Sequence, residues 1–450
     1  MATIRQALAR IKGNLEHWLP QADVRRLVDE FGLGRRDRVL TPVTTTFLFL
    51  QQILHGNTAC SHLRHLSGLE FSDAAYCKAR GRLPLGFCQR LQRVVLGHHA
   101  RAEATGRGDR WRGHDVYLVD GSSFSMPDTE ELRAEFGVPS GPVPDCGFPV
   151  AHLLLLTDAR SGSVRRAVPA PCHTHDMSRV ATVHPDVPAG AVLVADRGFC
   201  SYVHLALCQQ RGVHAVFRAH QKLLIDFRPG RPHAPLNAKH ACGLPRSRWL
   251  RSLGREDQVV EYFKPLQRPD WMTAEQYAAL PASLSVRECR YRVAVPGRRT
   301  RVVTLVSALL DRRRYPPSEL ARVYGWRWQI EGHLRDLKQS LGMDVLHCQT
   351  FMGVLKELAL FVTVYNLVRR VMSAAARRQA VPPRRISFTD ALRWLCTARP
   401  GEPLPRLRVV RERPGRTEPR VKKRRPKQFD LMRKPRSELR QALYEQKEAA

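Results

Sequence analysis

Apolar residues recur along the chain with two different spacings, and the change between them predicts where helices give way to strands. Up to about residue 105 the spacing is the i, i+3/i+4 pattern of amphipathic helices, as between Phe47 and Leu54. From about residue 114 short apolar runs and period-two alternation replace it, and these are typical of strands. The pattern therefore predicts a helical N-terminal region followed by an α/β region.

Two of the predicted strands each end on an aspartate. The run Val116–Val119 is followed by Asp120 and the turn-prone Gly-Ser-Ser, and the run Ala191–Ala195 is followed by Asp196. Functional side chains of α/β sheets gather at the carboxyl ends of strands, so we interpret both aspartates as candidate active-site carboxylates. The remaining elements predicted in this region are strands at 149–156, 164–168 and 213–217 and a helix at 201–211.

The pattern changes again in the second half of the chain. Short strand candidates among Pro, Gly and Arg predict a β-rich insertion, at 258–263, 288–295 and 301–307. A long helix is predicted to begin with Ser318 as its N-cap, and a second one begins at about Met352. The second helix carries five polar or charged residues within its apolar run, which favours a buried core helix over a membrane span.

These patterns divide the chain into five regions. We predict a helical region at 1–110, the first part of an α/β core at 111–221, a β-rich insertion at 222–308, completion of the core at 309–380 and a basic C-terminal region at 381–450. The last region is rich in Pro and Arg and contains the basic runs 422–425 and 433–436. It is expected to be an arm or subdomain that becomes ordered on its partner.

The first of the two long helices carries the most informative chemistry. Tyr324, Arg327, Glu331 and Lys338 stand at offsets of 0, 3, 7 and 14. On an α-helix with about 100° per residue these offsets fall within an arc of about 60°. A carboxylate can hold a cation there while the other three side chains hold phosphate oxygens, although a solvated face with i,i+4 pairs is the ordinary alternative. Trp326 and Trp328 in the same segment are predicted to pack in the core.

The charge of the chain indicates a polyanionic partner. The formal net charge is +33 and the pI is about 10.7. Nucleic acid is the commonest such partner, and the rival, a membrane surface, lacks an amphipathic anchor beside a lipidation motif here. Part of the Arg excess is also what a GC-rich genome would produce. The helical N-terminal region then has two readings, a DNA-reading module or a plain bundle packed on the rest.

Asp120, Asp196 and Glu331 together suggest a metal site. Three carboxylates within ~4 Å of one another would repel by roughly 4 kcal/mol per pair at an effective dielectric near 20, so such a cluster requires cations. Oxygen ligands select Mg²⁺ or Mn²⁺, and two such ions can support in-line phosphoryl transfer. We considered Cys60-Ser-His62-Leu-Arg-His65 and Cys172-His173-Thr-His175 as halves of zinc sites, but neither has a well-spaced second half, and no zinc is predicted.

The motif and its partners resemble those of a known family. The chain looks like the DDE transposases of bacterial insertion sequences, in the branch with a Y-(2)-R-(3)-E-(6)-K signature, which Tyr324, Arg327, Glu331 and Lys338 match in full. Asp120 in Leu-Val-Asp-Gly-Ser and Asp196 in Val-Ala-Asp-Arg-Gly-Phe match the contexts of the family's first and second carboxylates. The resemblance covers roughly residues 110–375. It implies an RNase H-like mixed sheet interrupted by the β-rich insertion, with helical N-terminal and helical, basic C-terminal regions.

The resemblance also implies a function. Asp120, Asp196 and Glu331 would bind two Mg²⁺ ions, for which Mn²⁺ can substitute, and Arg327, Lys338 and Tyr324 would contact the DNA backbone. The partners implied are terminal inverted repeats, target DNA and a second copy of the chain, with no membrane and with a bacterial cytoplasmic, nucleoid-associated location. Cut-and-paste transposition through hairpin ends is expected, and the hairpin requires a flipped base stacked on an aromatic ring.

Several assignments keep an alternative. Trp249 and Trp271 are candidates for the flipped base, or they pack in the core or a loop. Arg197, directly after Asp196, either reaches a phosphate or forms a structural ion pair. For the whole protein the alternatives are an inactive, transposase-derived DNA-binding protein or repressor, and another RNase H-like nuclease or resolvase.

Overall fold

The computed structural model describes residue 13 and residues 15–34, 39–104, 110–140, 146–231, 245–293, 302–411 and 434–448. The helices are α1 (Leu15–Trp18), α2 (Gln21–Glu30), α3 (Pro42–Leu54), α4 (Cys60–Ser67), α5 (Asp73–Arg82), α6 (Leu85–Ala104), α7 (Glu130–Phe136), α8 (Tyr202–Gln210), α9 (Ala274–Ala278), α10 (Pro317–Gly325), α11 (Trp328–Arg335), α12 (Phe351–Arg378), α13 (Phe388–Thr397) and α14 (Arg436–Glu448). The strands are β1 (Val116–Ser125), β2 (Val150–Asp158), β3 (Val164–Pro171), β4 (Val192–Ala195), β5 (His214–Arg218), β6 (Ser247–Gly254), β7 (Asp257–Phe263), β8 (Ser283–Arg292) and β9 (Val302–Ser307).

The nine strands form one mixed sheet with the order β3-β2-β1-β4-β5-β9-β8-β7-β6. In its first half β1 pairs in parallel with β4, and β4 with β5, while β2 runs antiparallel to both β1 and β3. An order of 3-2-1-4-5 with only the second strand reversed is that of an RNase H-like core, so the predicted fold class is confirmed.

The insertion extends this sheet. β6 to β9 form an antiparallel meander, and β9 pairs with β5, so the added strands continue the core without a break. The predicted strands at 258–263, 288–295 and 301–307 correspond to β7, β8 and β9, whereas β6 was not predicted.

The prediction that the first strand ends at Asp120 is wrong. β1 continues to Ser125, because Gly121 to Ser125 pair with β2 in unbroken register, and Asp120 therefore lies in mid-strand. Gly121 lies within the strand and not in a turn, at a position where there is no room for a side chain. A Cβ on Gly121 would lie 2.2 Å from a carboxylate oxygen of Asp176.

Alternate side chains of the central strands enter two apolar cores. Val116, Leu118 and Phe124 of β1 belong to the larger core, which includes α12 and the N-terminal helices, while Tyr117 and Val119 belong to the core beneath α8. This alternation is the period of two that a sheet buried on both faces requires. The helical N-terminal region therefore packs on the same face of the sheet as α12.

The second long helix is a core element. Among the described residues α12 alone is long and apolar enough to cross a membrane, with a mean hydropathy of 1.6 in its most apolar window, yet 72% of that window is buried inside this protein. Its polar residues have partners within the fold: Glu357 accepts hydrogen bonds from the Asn57 side chain and from the backbone of His347 and Cys348. Such burial is that of a core helix.

The segment from Ser318 to Lys338 is not the single regular helix that was predicted. Pro316 is the N-cap, Ser318 lies inside α10, and α10 ends at Gly325 before α11 begins at Trp328. The connection is tightened by i→i+3 hydrogen bonds, such as that from Arg327 N to Tyr324 O at 3.0 Å. Beyond α11 the residues Asp336–Ser340 form a π-helical turn that contains Lys338.

Some predictions fall on residues outside the described ranges. They concern the predicted helical character of the first 12 residues and the basic run 422–425. The five regional boundaries remain predictions.

Candidate active site

The three predicted carboxylates are brought to one face of the sheet by β1, β4 and α11. Val119 of β1 lies beside Ala195 of β4, so Asp120 and Asp196 follow at adjacent positions of two parallel strands. Both come one residue after a side chain of the α8 core, so they project toward the opposite face, where α10 and α11 pack. Glu331 lies in the first turn of α11.

Arg327 connects two of these carboxylates. Its guanidinium nitrogens lie 3.7 Å from Asp120 Oδ2 and 3.4 Å from Glu331 Oε1. The Arg327 side chain is only 8% exposed, whereas that of Glu331 is 50% exposed. Burial alone would lower the pKa of Arg327, but Tyr324 and the carboxylates of Asp196, Asp120 and Glu331 raise it. Arg327 is therefore a fixed positive charge at the centre of the cluster.

Tyr324 reaches the third carboxylate. Its hydroxyl donates to Asp196 Oδ1 over 3.4 Å, and burial raises its pKa, so the phenol stays protonated. Arg218 also acts electrostatically on Tyr324. Arg218 was not identified as a site residue from the sequence. Ala195 of β4 pairs with Phe217 of β5, so the residues that follow them, Asp196 and Arg218, lie side by side.

Asp120 carries the clearest electrostatic sign of a cation site. Burial raises its pKa to about 6; the Gly121 amide and Arg327 lower it, whereas Asp196 and Glu331 raise it. Among the described residues, Asp120, Asp196 and Glu331 gather around Arg327, with Arg218 beside Asp196, so the carboxylates of the cluster outnumber its arginines. A set of oxygen donors with excess negative charge fits a hard divalent cation. Asp120, Asp196 and Glu331 are thus the residues that could hold it.

Without divalent cations, Asp120 is expected to make the chain less stable as the pH rises from 4 to 6. The folded chain keeps this carboxyl proton up to about pH 6, whereas an unfolded chain loses it at the ordinary pKa of 3.8. The folded state then binds more protons in this interval, so the free energy of unfolding falls through it, by roughly 1–3 kcal/mol in total. Urea denaturation in EDTA at pH 4 and pH 7 measures this fall.

The comparison variant is Asp120→Asn, which removes the titrating group. The decrease in the free energy of unfolding between pH 4 and pH 7 should be smaller in this variant than in the wild type, by the contribution of Asp120. At pH 7 the variant should be more stable than the wild type. Equal falls in the two proteins would contradict the electrostatic description of Asp120.

Two further residues, Lys338 and Arg197, were predicted to contact DNA. Lys338 Nζ is 2.9 Å from Asp344 Oδ1, and the Lys338 side chain is 24% exposed. Arg197 is exposed at the start of the turn after Asp196, and among the described residues it has no ion pair. Within the described ranges, neither residue forms a hydrogen bond or an ion pair with the three carboxylates, so their roles toward DNA stay predictions.

The tryptophans of this region differ from the prediction of core packing. Trp328 is 44% exposed, and the Arg327 guanidinium lies 4.6 Å from its ring centroid. Trp326 is only partly buried against the larger core, and the Arg322 guanidinium lies 5.8 Å from its ring centroid. Trp328 is the first residue of α11, directly after the break between α10 and α11.

The two tryptophans of the insertion are half-buried. Trp249 lies on β6 with its indole nitrogen buried, and Trp271 packs against the α8 core. A role of either ring in stacking a flipped base remains a prediction.

An RNase H-like sheet that gathers three carboxylates around a buried arginine defines a class of enzymes that transfer phosphoryl groups in nucleic acids. The sequence profile of the family described as “Transposase DDE domain” matches residues 111–367, more than half of the chain. The chain therefore belongs to the DDE transposase family, whose members are enzymes that generally use a divalent metal ion. It is 22% identical over 342 residues to the transposase InsG for insertion sequence element IS4 of Escherichia coli strain K12, a match that covers 74% of this chain and 69% of that protein.

Solved transposase structures are also similar to the chain. A cryo-EM structure of the piggyBac transposase synaptic complex with hairpin DNA matches with a TM-score of 0.40 and 9% identity, over 88% of this chain and 80% of that one. The Mos1 transposase paired-end complex with the left transposon end matches with a TM-score of 0.15 and 11% identity, over 48% and 78% of the two chains. These scores are low, and the fold assignment stands on the strand order of the sheet.

Proposed function

We propose that this chain binds the terminal inverted repeats of an insertion sequence and catalyses Mg²⁺-dependent cleavage and transfer of the DNA strands. The observation that supports it is the convergence of Asp120, Asp196 and Glu331 around the buried Arg327. The net charge of +33 supports a DNA partner, because a polyanion offsets it.

Each residue of the cluster has a distinct part in this proposal. Asp120, Asp196 and Glu331 would hold two Mg²⁺ ions, for which Mn²⁺ can substitute. The bound ions would supply the positive charge that stabilises the attacking and leaving oxygens of an in-line displacement. Arg327 fixes Asp120 and Glu331 relative to each other, and its remaining guanidinium hydrogens are suited to a phosphate oxygen. Tyr324 orients Asp196 through its hydroxyl and contacts the DNA backbone.

The wider proposal follows the family. Two copies of the chain would pair the two ends of the element, and each first nick would free a 3′-hydroxyl that attacks the opposite strand to give a hairpin. Arg197 and Lys338 would contact phosphates at the rim of the site. The chain would act on the bacterial nucleoid, in the cytoplasm.

Lys338→Ala is expected to weaken binding to end DNA and to lower its salt dependence. A lost phosphate contact reduces the slope of log K against log salt by about 1, while a chain with about 6–10 such contacts loses roughly 10³–10⁵ in affinity between 50 and 200 mM salt. Fluorescence anisotropy over that salt range measures the slope. Asp344→Asn is the matched control, since it removes the ion-pair partner of Lys338 and should not reduce the slope. Unchanged slopes in both variants would exclude Lys338 from the DNA contacts.

The proposal is tested with the DNA that flanks the gene. That DNA should contain short inverted repeats bounded by a target-site duplication. A plasmid carrying both repeats, incubated with the protein and Mg²⁺, should release the intervening fragment with covalently closed ends, which denaturing gels detect as molecules that do not separate into strands. Tight binding to the repeats with no cleavage in Mg²⁺ or Mn²⁺ would favour an inactive DNA-binding relic. Cleavage of branched DNA without regard to the repeats would favour a resolvase.

A further inference from the structure

Three side chains with nitrogen and sulfur donors meet in the apolar core beneath α8, on the side of the sheet away from the carboxylates. His204 and Cys208 lie one turn apart on α8, and His184 comes from the 3₁₀ turn that precedes β4. Their donor atoms all lie within 4.8 Å of one another, and the Nε2 atoms of the two histidines are 3.1 Å apart. The three residues are 3%, 0% and 1% exposed, in the order His184, His204, Cys208.

We propose that His184, His204 and Cys208 bind one thiophilic d¹⁰ ion, Zn²⁺ or Cu⁺, that ties the turn before β4 to α8. Imidazole and thiolate are donors that suit both ions, whereas Mg²⁺ prefers oxygen. On a tetrahedral ion with bonds of about 2.0–2.3 Å, two donors lie roughly 3.3–3.6 Å apart. The two nitrogens are already near that spacing, and the sulfur lies within 4.8 Å of both.

His204 is held in the tautomer that a metal ligand needs. Its Nδ1 donates a hydrogen bond to the carbonyl oxygen of Phe199 at 2.8 Å, which leaves the Nε2 lone pair directed into the cluster. A hydrogen bond from the second ring nitrogen to a carbonyl is the usual support of a metal-bound histidine. Burial also lowers the pKa of His184 to about 4 and that of His204 to about 3, so both rings are neutral and can act as ligands at pH 7.

The sulfur donor requires one proton to leave. Burial raises the pKa of Cys208, although the nearby Arg211 favours the thiolate. When the ion binds, the S–H bond is replaced by a metal–sulfur bond and the proton passes to solvent, with no change of oxidation state. The competing description is a plain hydrogen bond between the two imidazoles with the thiol as an apolar filler.

The place of this cluster gives the ion a structural role. Phe199, whose carbonyl holds His204, belongs to the 3₁₀ turn directly after Asp196, and its own amide donates to Asp196 O at 3.0 Å. An ion bound to His204 would therefore brace the turn that follows this carboxylate, from the opposite face of the sheet. The inference does not depend on the proposed function.

Metal analysis of the untagged, full-length protein tests the proposal. The chain is stripped with a chelator and then loaded with Zn²⁺, or with Cu⁺ under anaerobic reducing conditions, in an excess of Mg²⁺ that competes for the carboxylates. We expect one equivalent of one of these ions to remain after gel filtration, with an X-ray absorption spectrum of two nitrogens and one sulfur. The loading condition, Zn²⁺ or Cu⁺, under which the protein retains an ion identifies which ion the site binds. Retention of neither ion, or a shell without sulfur, overturns the proposal.

Variants assign the ion to these residues. Cys208→Ala should lose the bound equivalent, while Cys200→Ala, a cysteine of the same core that is 4% exposed, should keep it. Cys60→Ser is a second control, because the sulfurs of Cys60 and Cys77 lie 3.9 Å apart and form another thiol pair. Loss of the ion in Cys60→Ser with retention in Cys208→Ala overturns the proposal. If Cys208→Ala does not fold, the absorption spectrum of the wild-type protein still decides, because the thiol pair would give a shell with two sulfurs.

Discussion

Glu331→Gln is expected to abolish divalent-metal-dependent cleavage of end DNA while leaving binding of that DNA nearly unchanged. The amide has the shape of the carboxylate but no negative charge, so it removes one of the carboxylates that surround Arg327 and one proposed ligand of the cations. A loss of about 4 kcal/mol or more in transition-state stabilisation corresponds to at least about 10³-fold in rate. Single-turnover cleavage and anisotropy binding on the same DNA measure the two quantities.

Glu275→Gln is the matched control for this substitution. Glu275 is an exposed carboxylate in the first turn of α9, within the insertion, and its change to Gln should leave the cleavage rate within about twofold. Cleavage by Glu331→Gln at the wild-type rate would refute the assignment of Glu331. Equal losses of cleavage and binding would instead indicate that the substitution disturbs the fold.

Arg287→Met is expected to cost about 3–5 kcal/mol of the free energy of unfolding, because it leaves Asp257 buried without its partner. The Arg287 side chain is fully buried, and two of its nitrogens lie 2.6 Å from the two carboxylate oxygens of Asp257. A third nitrogen donates to the carbonyl of Tyr315 at 2.7 Å, just before α10. Arg312 is also 3.6 Å from Asp257, but it is half-exposed and supports the carboxylate only weakly. Urea denaturation measures the loss.

Arg248→Met provides the comparison for the buried pair. Arg248 forms an ion pair with Glu261 in the same meander, but its side chain is 55% exposed, so the same chemical change should cost at most about 1 kcal/mol. The double variant Asp257→Leu/Arg287→Met should regain much of the stability, since it leaves no buried charge without a partner. Equal losses for Arg248→Met and Arg287→Met would contradict the role given to burial.

The convergence of the three carboxylates could be predicted from the sequence more closely than the bounds of the elements that carry them. The apolar runs before Asp120 and Asp196 can be read from the sequence itself. Strands could be predicted there without knowing which strands they pair with. The continuation of β1 through Gly121 could not be predicted in this way, because it depends on pairing with β2 and on the close approach of Asp176. Tertiary contacts here outweighed a local signal for a turn.

The segment from Tyr324 to Lys338 likewise combines features that the sequence predicted with features that it did not. A uniform helical period predicted that Tyr324, Arg327 and Glu331 share one face, and these side chains do converge on the cluster. The period could not reveal the break at Trp326, whose φ of −67° and ψ of −20° still keep the backbone right-handed helical and so preserve the shared face. The same period did not show that Trp328 is 44% exposed.

Contacts between distant residues could not be predicted from the pattern. The cluster of His184, His204 and Cys208 joins a loop to a helix across β4. His204 and Cys208 stand one helical turn apart in the sequence, but no spacing indicates that His184, 20 residues before His204, joins them. The ion pair of Arg287 with Asp257 likewise depends on the register of β7 against β8. The apolar period of a strand predicts which face is buried, but which residues lie opposite each other also depends on the connection between the strands.

The pairing of β5 with β9 has a consequence for how such chains can change in evolution. Arg218, the last residue of β5, faces Leu305 of β9, the last strand of the insertion, across one antiparallel ladder. The point where the chain leaves the RNase H-like core is therefore next to the point where it returns, as at the two ends of a hairpin. A segment placed there can be lengthened, exchanged or reduced to a short turn without rerouting the central strands. The insertion can therefore change in length or sequence between related chains while Asp120, Asp196 and Glu331 keep their positions in the core.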